Sequence, residues 1–471
     1  MKKNFFYYLM PSAVIGILST IMVPITTYYL DPRDFGIFAI LSAFTMPIGN
    51  LASTGVSWVL PANYFVIDED ERKILVFNLL ALDLVLKLLW VLVFWLFAPI
   101  FLPMLIKEYE LSYGIYFKLI LISIPITSVW PIVSCLIVMQ KKGFVHATFE
   151  ILHWSSGAIS TIICLVLLKL KTITLFLSPL FGGIIFLIVI LGYIRKYIKP
   201  KLDKRWLIEI FKVGMPSIPA NVSEILTNIA DRYFVQRWVN LNKLGIYSHS
   251  QNYKNMFNMS SKGFSRTFGP ASLEIYAHKM NEEKLQSMLH RWHGLMVLGG
   301  IFVTLFSYEI IKILTHGKFV EAANLVPIWF YIIIFSTYGF PYTQFLIVHK
   351  KNAFMMFSLI ITGLIFILVT AILVYWFGIM GATIGIVLSN LAIQLPRKWY
   401  ARSLGCNKIG EKEFIIAMTI LTSLYLINNL IRISFLYKSA GFIILAIWAF
   451  YYFNLLVEIK EIIVRLRQRA I

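Results

Sequence analysis

Phe35-Gly36-Ile37-Phe38 returns about 209 positions later as Leu244-Gly245-Ile246-Tyr247, and this recurrence decides the fold. In the same register Pro61-Ala62 returns as Pro270-Ala271, and Lys141-Lys142 returns as Lys350-Lys351. Upstream the register slips by a few residues, yet Met10-Pro11-Ser12 still finds Met215-Pro216-Ser217. Landmarks that share one offset imply two fused copies of one unit, with a shorter addition at the end. In transporters such fused copies place a binding site between two halves.

The unit belongs in a membrane. Of the 471 residues, 59% are apolar and 14% charged, and the apolar ones gather in runs of about 18–25, the length that crosses a bilayer as helix. The runs lie near 7–29, 36–60, 75–99, 115–139, 148–168, 173–194, 211–235, 244–268, 291–314, 325–348, 354–377, 379–396, 414–431 and 439–459. They predict an all-α polytopic protein of about fourteen spans. Residues 1–194 would form one six-helix bundle and 207–400 a second, with 195–206 as a basic cytoplasmic linker. Residues 401–471 would add two helices and a basic tail. An even number of spans separates the Met-Pro-Ser landmarks, so both copies enter from the same side, as a parallel repeat about a central cavity.

Basic residues set the orientation. With the N-terminus in the cytoplasm, inside segments carry about 26 Lys and Arg and outside loops about 9, which places both termini inside. The net charge of +20 is spread over short loops beside apolar helices, so topology explains it better than nucleic acid does. The apolar stretch behind Lys2-Lys3 runs past the length of a signal peptide, contains Pro11 and Pro24, and reads as a retained first span. Cys135, Cys164 and Cys406 are scattered, away from metal-ligand spacing. A phosphate-binding GxxxxGK loop is missing, and His290 and His293 read as interfacial histidines rather than a metal site. The reading is of a transporter, with no catalytic residues, no metal and no cofactor beyond a coupling ion.

Polar residues inside spans are the candidate site, because a charge at mid-membrane costs at least about 2.5–3.5 kcal/mol. Gln251, Lys254, Asn258, Lys262 and Arg266 follow one another at three- and four-residue steps, one slowly drifting helix face. They would form the basic wall of a wet cavity, or else snorkel and pair with acids. Asn221, Glu224, Asn228 and Asp231 share a face of the preceding span. Glu224 would pair with a cation from the next span or bind a coupling proton or sodium ion, with Asp231 and Asp83 as further candidates. Asp83 stands one turn from Lys87 and so can neutralise itself. In the first copy the positions matching the basic stripe hold Thr45, Gly49, Ser53 and Ser57. The face is therefore polar in both copies and cationic in one, which suits a large substrate with a localised negative head.

Tyr29-Leu30-Asp31-Pro32-Arg33-Asp34-Phe35-Gly36-Ile37-Phe38 resembles the segment after the first span of polysaccharide flippases in the multidrug/oligosaccharidyl-lipid/polysaccharide (MOP) exporter superfamily. Asp231-Arg232-Tyr233-Phe234 with Leu244-Gly245-Ile246-Tyr247 looks like the equivalent in their second half, and Gly378-Ile379-Met380-Gly381-Ala382-Thr383 is similar to their Gly-x-x-Gly-Ala helix start. The O-antigen (Wzx-type) branch is the nearest look-alike. The resemblance implies a bacterial inner-membrane flippase for undecaprenyl-pyrophosphate-linked oligosaccharide, working among membrane lipids and alongside a polysaccharide polymerase machinery in lipopolysaccharide or other polysaccharide biosynthesis. The branch is often drawn with twelve spans, and two additional C-terminal helices look more like the lipid II flippase arrangement. The alternatives are a multidrug-type exporter, a lipid II flippase, and a membrane polymerase or ligase. A polymerase or ligase would need a large periplasmic loop, for which the gaps between spans leave no room.

Overall fold

The computed structural model describes residues 2–52, 56–214, 218–278, 282–431 and 433–455. Among them the regular structure is helical. The helices run in chain order α1 (Lys2–Tyr29), α2 (Pro32–Ala52), α3 (Val56–Asn63), α4 (Glu69–Leu105), α5 (Leu111–Thr127), α6 (Val129–Met139), α7 (Gly143–Ile162) and α8 (Thr174–Ile194). They continue with α9 (Lys204–Gly214), α10 (Ile218–Trp238), α11 (Leu241–Ala277), α12 (Glu283–Leu314), α13 (Val326–Val348), α14 (Asn352–Ser403), α15 (Glu411–Leu430) and α16 (Phe435–Tyr452). The all-α polytopic class expected from the apolar runs is what forms, and helix covers each of those runs over most of its described length.

Among the described residues nine helices are long and apolar enough to cross a membrane, or ten if the pair Val14–Tyr29 and Pro32–Met46, bent by 116°, counts as one. The count falls short of fourteen on this measure for three reasons. The bent pair α1–α2 counts as one span at most, polar and charged residues punctuate α10 and α11, and α14 is counted once. Yet α14 is a hairpin in substance. At Gly378 the backbone takes φ 57° and ψ −134°, and the two arms then run back along one another. A Cβ on Gly385 would lie 2.6 Å from Thr370 Oγ1, and one on Gly381 only 1.9 Å from the Leu373 carbonyl oxygen. At the far end Phe354 meets Tyr400 with ring centroids 4.4 Å apart. Only glycine adopts such a φ without strain and lets the backbones come this close, so the Gly-x-x-Gly-Ala stretch does start a helix.

The repeat shows in the local geometry as well. Lys141 and Lys350 both sit in the left-handed region, at φ 58° and 56°. In one copy the Lys142 N–H reaches the Ile137 carbonyl at 3.2 Å, and in the other the Lys351 N–H reaches the Leu346 carbonyl at 2.9 Å. Each is the six-to-one bond of a Schellman cap. The starts of α2 and α11 are capped at equivalent positions by opposite halves of a capping box. Asp34 Oδ2 accepts the Asp31 N–H at 2.8 Å, and Asn240 Oδ1 accepts the Lys243 N–H at 2.8 Å.

The chain divides into two compact units, residues 1–246 and 247–471, so α11 begins in the first and continues through the second. In the first unit Val59, Leu75, Leu79, Val133, Ile137 and Ile190 form a core. The basic segment after α8 is strapped onto that core. Buried Asn78 donates to the Lys201 carbonyl at 2.8 Å and accepts the Asp203 N–H at 3.0 Å. α9 then buries Trp206 and Ile210 against it. The Arg205 guanidinium bonded to Asp203 holds that carboxyl below the ordinary carboxylate range. In the second unit Tyr276, Leu289, Tyr338, Tyr342, Leu346 and Ala401 form the corresponding core.

Candidate functional site

The polar face of α11 is the richest candidate, and its described part lies in the second unit. Gln251 is buried and Lys254 and Asn258 are half-buried. Lys254 Nζ lies 4.9 Å from the centre of the Trp329 ring on α13. That ring is itself fixed, because Trp329 Nε1 donates to Ser250 Oγ at 2.9 Å. A cation over an indole face is attracted by the ring quadrupole, about 0.5–2 kcal/mol depending on hydration. Lys254 thus packs against α13. The side chains of Lys262 and Arg266, on the following turns of α11, fall outside the described residues.

In the first unit α10 packs against α2. Asp231 is buried, with 1% of its surface exposed, and Oδ1 accepts the Arg232 N–H at 2.8 Å. Arg232 Nη1 in turn donates to the Ala39 carbonyl at 3.3 Å. Asn228 is half-buried one turn earlier, while the side chains of Asn221 and Glu224 lie outside the described residues. Asp83 and Lys87 form an ion pair of 2.8 Å within α4 and are only 2% and 3% exposed. Self-pairing one turn apart is what their spacing implied. Thr45 is buried and donates to the Ser42 carbonyl at 2.8 Å. Ser53 and the Ser57 side chain are outside the described residues.

Several polar residues of structural weight had not been singled out in the sequence. Gln236 on α10 donates to the Leu105 carbonyl at 2.7 Å and accepts the Lys107 N–H at 3.2 Å, tying α10 to the end of α4. Arg397 reaches across the α14 hairpin to Ser358 Oγ at 3.4 Å. Lys398 pairs with Glu411 at 2.9 Å. His290, read as an interfacial residue, bridges Glu413 at 2.9 Å and the Tyr452 carbonyl at 3.0 Å, and so pins α12 to α15 and α16. Lys398 and Glu411 are thirteen positions apart and the other partners more than thirty, and no periodicity along one helix signals them.

Long apolar helices, a hairpin broken at glycine and buried charges on α4 and α10 define a polytopic transporter fold. It superposes on the lipid II flippase MurJ with a TM-score of 0.72 at 15% identity, covering 98% of this chain and 100% of that one. An inward-facing multidrug resistance MATE family transporter of the MOP superfamily gives 0.68 at 15% identity, covering 83% and 94%. A MOP superfamily transporter from Pyrococcus furiosus gives 0.58 at 14%, covering 85% and 95%. At such identities the likeness is one of fold. The chain belongs to the family described as polysaccharide biosynthesis protein, whose model matches residues 1–266. No curated protein sequence matches it.

Proposed function

We propose that this protein is a flippase that carries an undecaprenyl-pyrophosphate-linked oligosaccharide, the repeat unit of an O-antigen or other surface polysaccharide, from the cytoplasmic to the periplasmic leaflet of a bacterial inner membrane. The observation that carries the reading is the meeting of two independent likenesses. The family is one of polysaccharide biosynthesis, and the fold matches the lipid II flippase MurJ over nearly the whole chain.

The residues support it. A pyrophosphate presents several anionic oxygens, which need more than one cation at close range. Lys254 is seated on the Trp329 ring, and Lys262 and Arg266 follow on the same helix. Alternating access coupled to a proton or sodium gradient would move the head group, with Glu224 and Asp231 as the coupling acids and Asp83 behind them. A deletion strain tests the reading. Lipid-linked repeat units should accumulate facing the cytoplasm. Normal export of those units by the deletion strain would sink it, and loss of resistance to cationic drugs in their place would favour a multidrug exporter.

A further inference from the structure

A cavity of about 410 Å³ opens in the second unit, between the C-terminal end of α12, the short 3-10 turn Val320–Asn324, and the ends of α15 and α16. Its size falls in the range of ligand sites, about 300–1,000 Å³. Tyr308, Glu309, Asn324, Tyr425, Asn428 and Lys438 are among the residues that line it.

Two acceptors on its lining residues are shut behind the wall. Glu309 gives Oε1 to Lys438 Nζ at 2.8 Å, while its Oε2 is buried without a partner. Asn428 donates from Nδ2 to the Thr304 carbonyl at 3.0 Å, while its Oδ1 is buried without a partner. Both oxygens lie behind the wall, so the groups a guest meets are the exposed Asn324, Asn429 and Tyr308 and the half-buried Tyr425, uncharged amides and phenols. The Glu309–Lys438 pair leaves the wall close to neutral, which disfavours a bare cation. Hydroxyl groups supply donors without charge, and the tyrosine rings offer faces for the apolar side of a sugar.

We propose that this cavity is a glycan subsite that holds neutral sugar residues of the cargo at the periplasmic end of the path. The proposal rests on the flippase reading, whose orientation puts this end of α12 outside. It gives α15 and α16 a part in handling substrate.

The test uses full-length protein in nanodiscs and the free oligosaccharide that mild acid releases from the lipid-linked pool of the producing cells. Saturation-transfer NMR should show binding to the wild type. Asn429→Leu should weaken it at least tenfold, and so should Asn324→Trp, which blocks the rim from an exposed position with no internal packing to lose. Melting curves verify that both variants are folded. Undiminished binding by folded Asn324→Trp overturns the proposal, as does absence of binding by the wild type. Displacement of the glycan by glycerophosphoethanolamine would overturn it in favour of a lipid headgroup. Failure here leaves cytoplasmic accumulation in the deletion strain intact, so the subsite and the flippase reading fall separately.

Discussion

Gly36 and Gly245, equivalent positions of the two copies, meet each other where α2 and α11 begin. A Cβ on Gly36 would lie 2.0 Å from the Leu241 carbonyl oxygen, and one on Gly245 only 1.6 Å from the Pro32 carbonyl oxygen. The obstacle is backbone on both sides and cannot swing away as a side chain would. Small residues let membrane helices approach to this distance. Gly36→Ala and Gly245→Ala should each destabilise the protein by about 1–3 kcal/mol or more, the usual cost of overpacking. Gly49→Ala, with nothing within 4 Å, should be tolerated. Melting followed by size-exclusion in detergent compares the three, and equal stability would refute the close contact.

The left-handed caps make a second prediction. Lys350 holds φ 56°, a region that costs an L-residue roughly 1–2 kcal/mol. Lys350→Gly relieves that cost and gives back part of it through the added freedom of the unfolded chain, about 0.5–1 kcal/mol. A net gain of up to about 1 kcal/mol is expected. Lys350→Val should be destabilising, because a β-branched side chain tolerates positive φ least. A higher melting point for the valine than the glycine variant would contradict the cap.

These two sites mark how much the sequence made legible. Gly36, Gly245, Lys141 and Lys350 act through backbone conformation, and backbone demands recur wherever a unit is copied, so the repeat revealed them. Gly378 was legible in another way, as a break between two apolar runs. The clamp of Glu413 by His290 and the seat of Lys254 on Trp329 were not. They join helices remote in sequence, and nothing along α11 says which ring its lysine will find. The polar stripe itself was plain, yet it also lowers the apolar character of α10 and α11 until composition no longer marks them as spans.

The Asp83–Lys87 pair allows stability and transport to be separated. Removing one partner of a buried pair leaves a naked charge, which costs about 3–5 kcal/mol, whereas replacing both by apolar residues is often neutral. Lys87→Met should therefore lower the amount of folded protein, and Asp83→Leu combined with Lys87→Met should restore it. If Asp83 also couples an ion, the double variant will be abundant and inactive. Membrane protein level and surface polysaccharide, measured together, separate these outcomes, and a double variant less abundant than Lys87→Met would contradict the pairing.

Lys254 gives the sharpest test of the proposed substrate. Methionine can keep the packing of the side-chain stem against Trp329 while removing the ammonium, so Lys254→Met should reach near-normal abundance. A charge-assisted contact to the pyrophosphate is worth about 1.5–3 kcal/mol, roughly ten- to a hundredfold in binding, and export should fall accordingly. Lys254→Arg keeps both the charge and an affinity for the indole face, and should retain most of the export. If the lysine instead only braces α11 against α13, Lys254→Met will melt early and export will track abundance. Combining Lys254→Met with Lys262→Ala and Arg266→Ala decides the role of the whole stripe. Full export from that triple variant would show that the basic face of α11 does not hold the substrate.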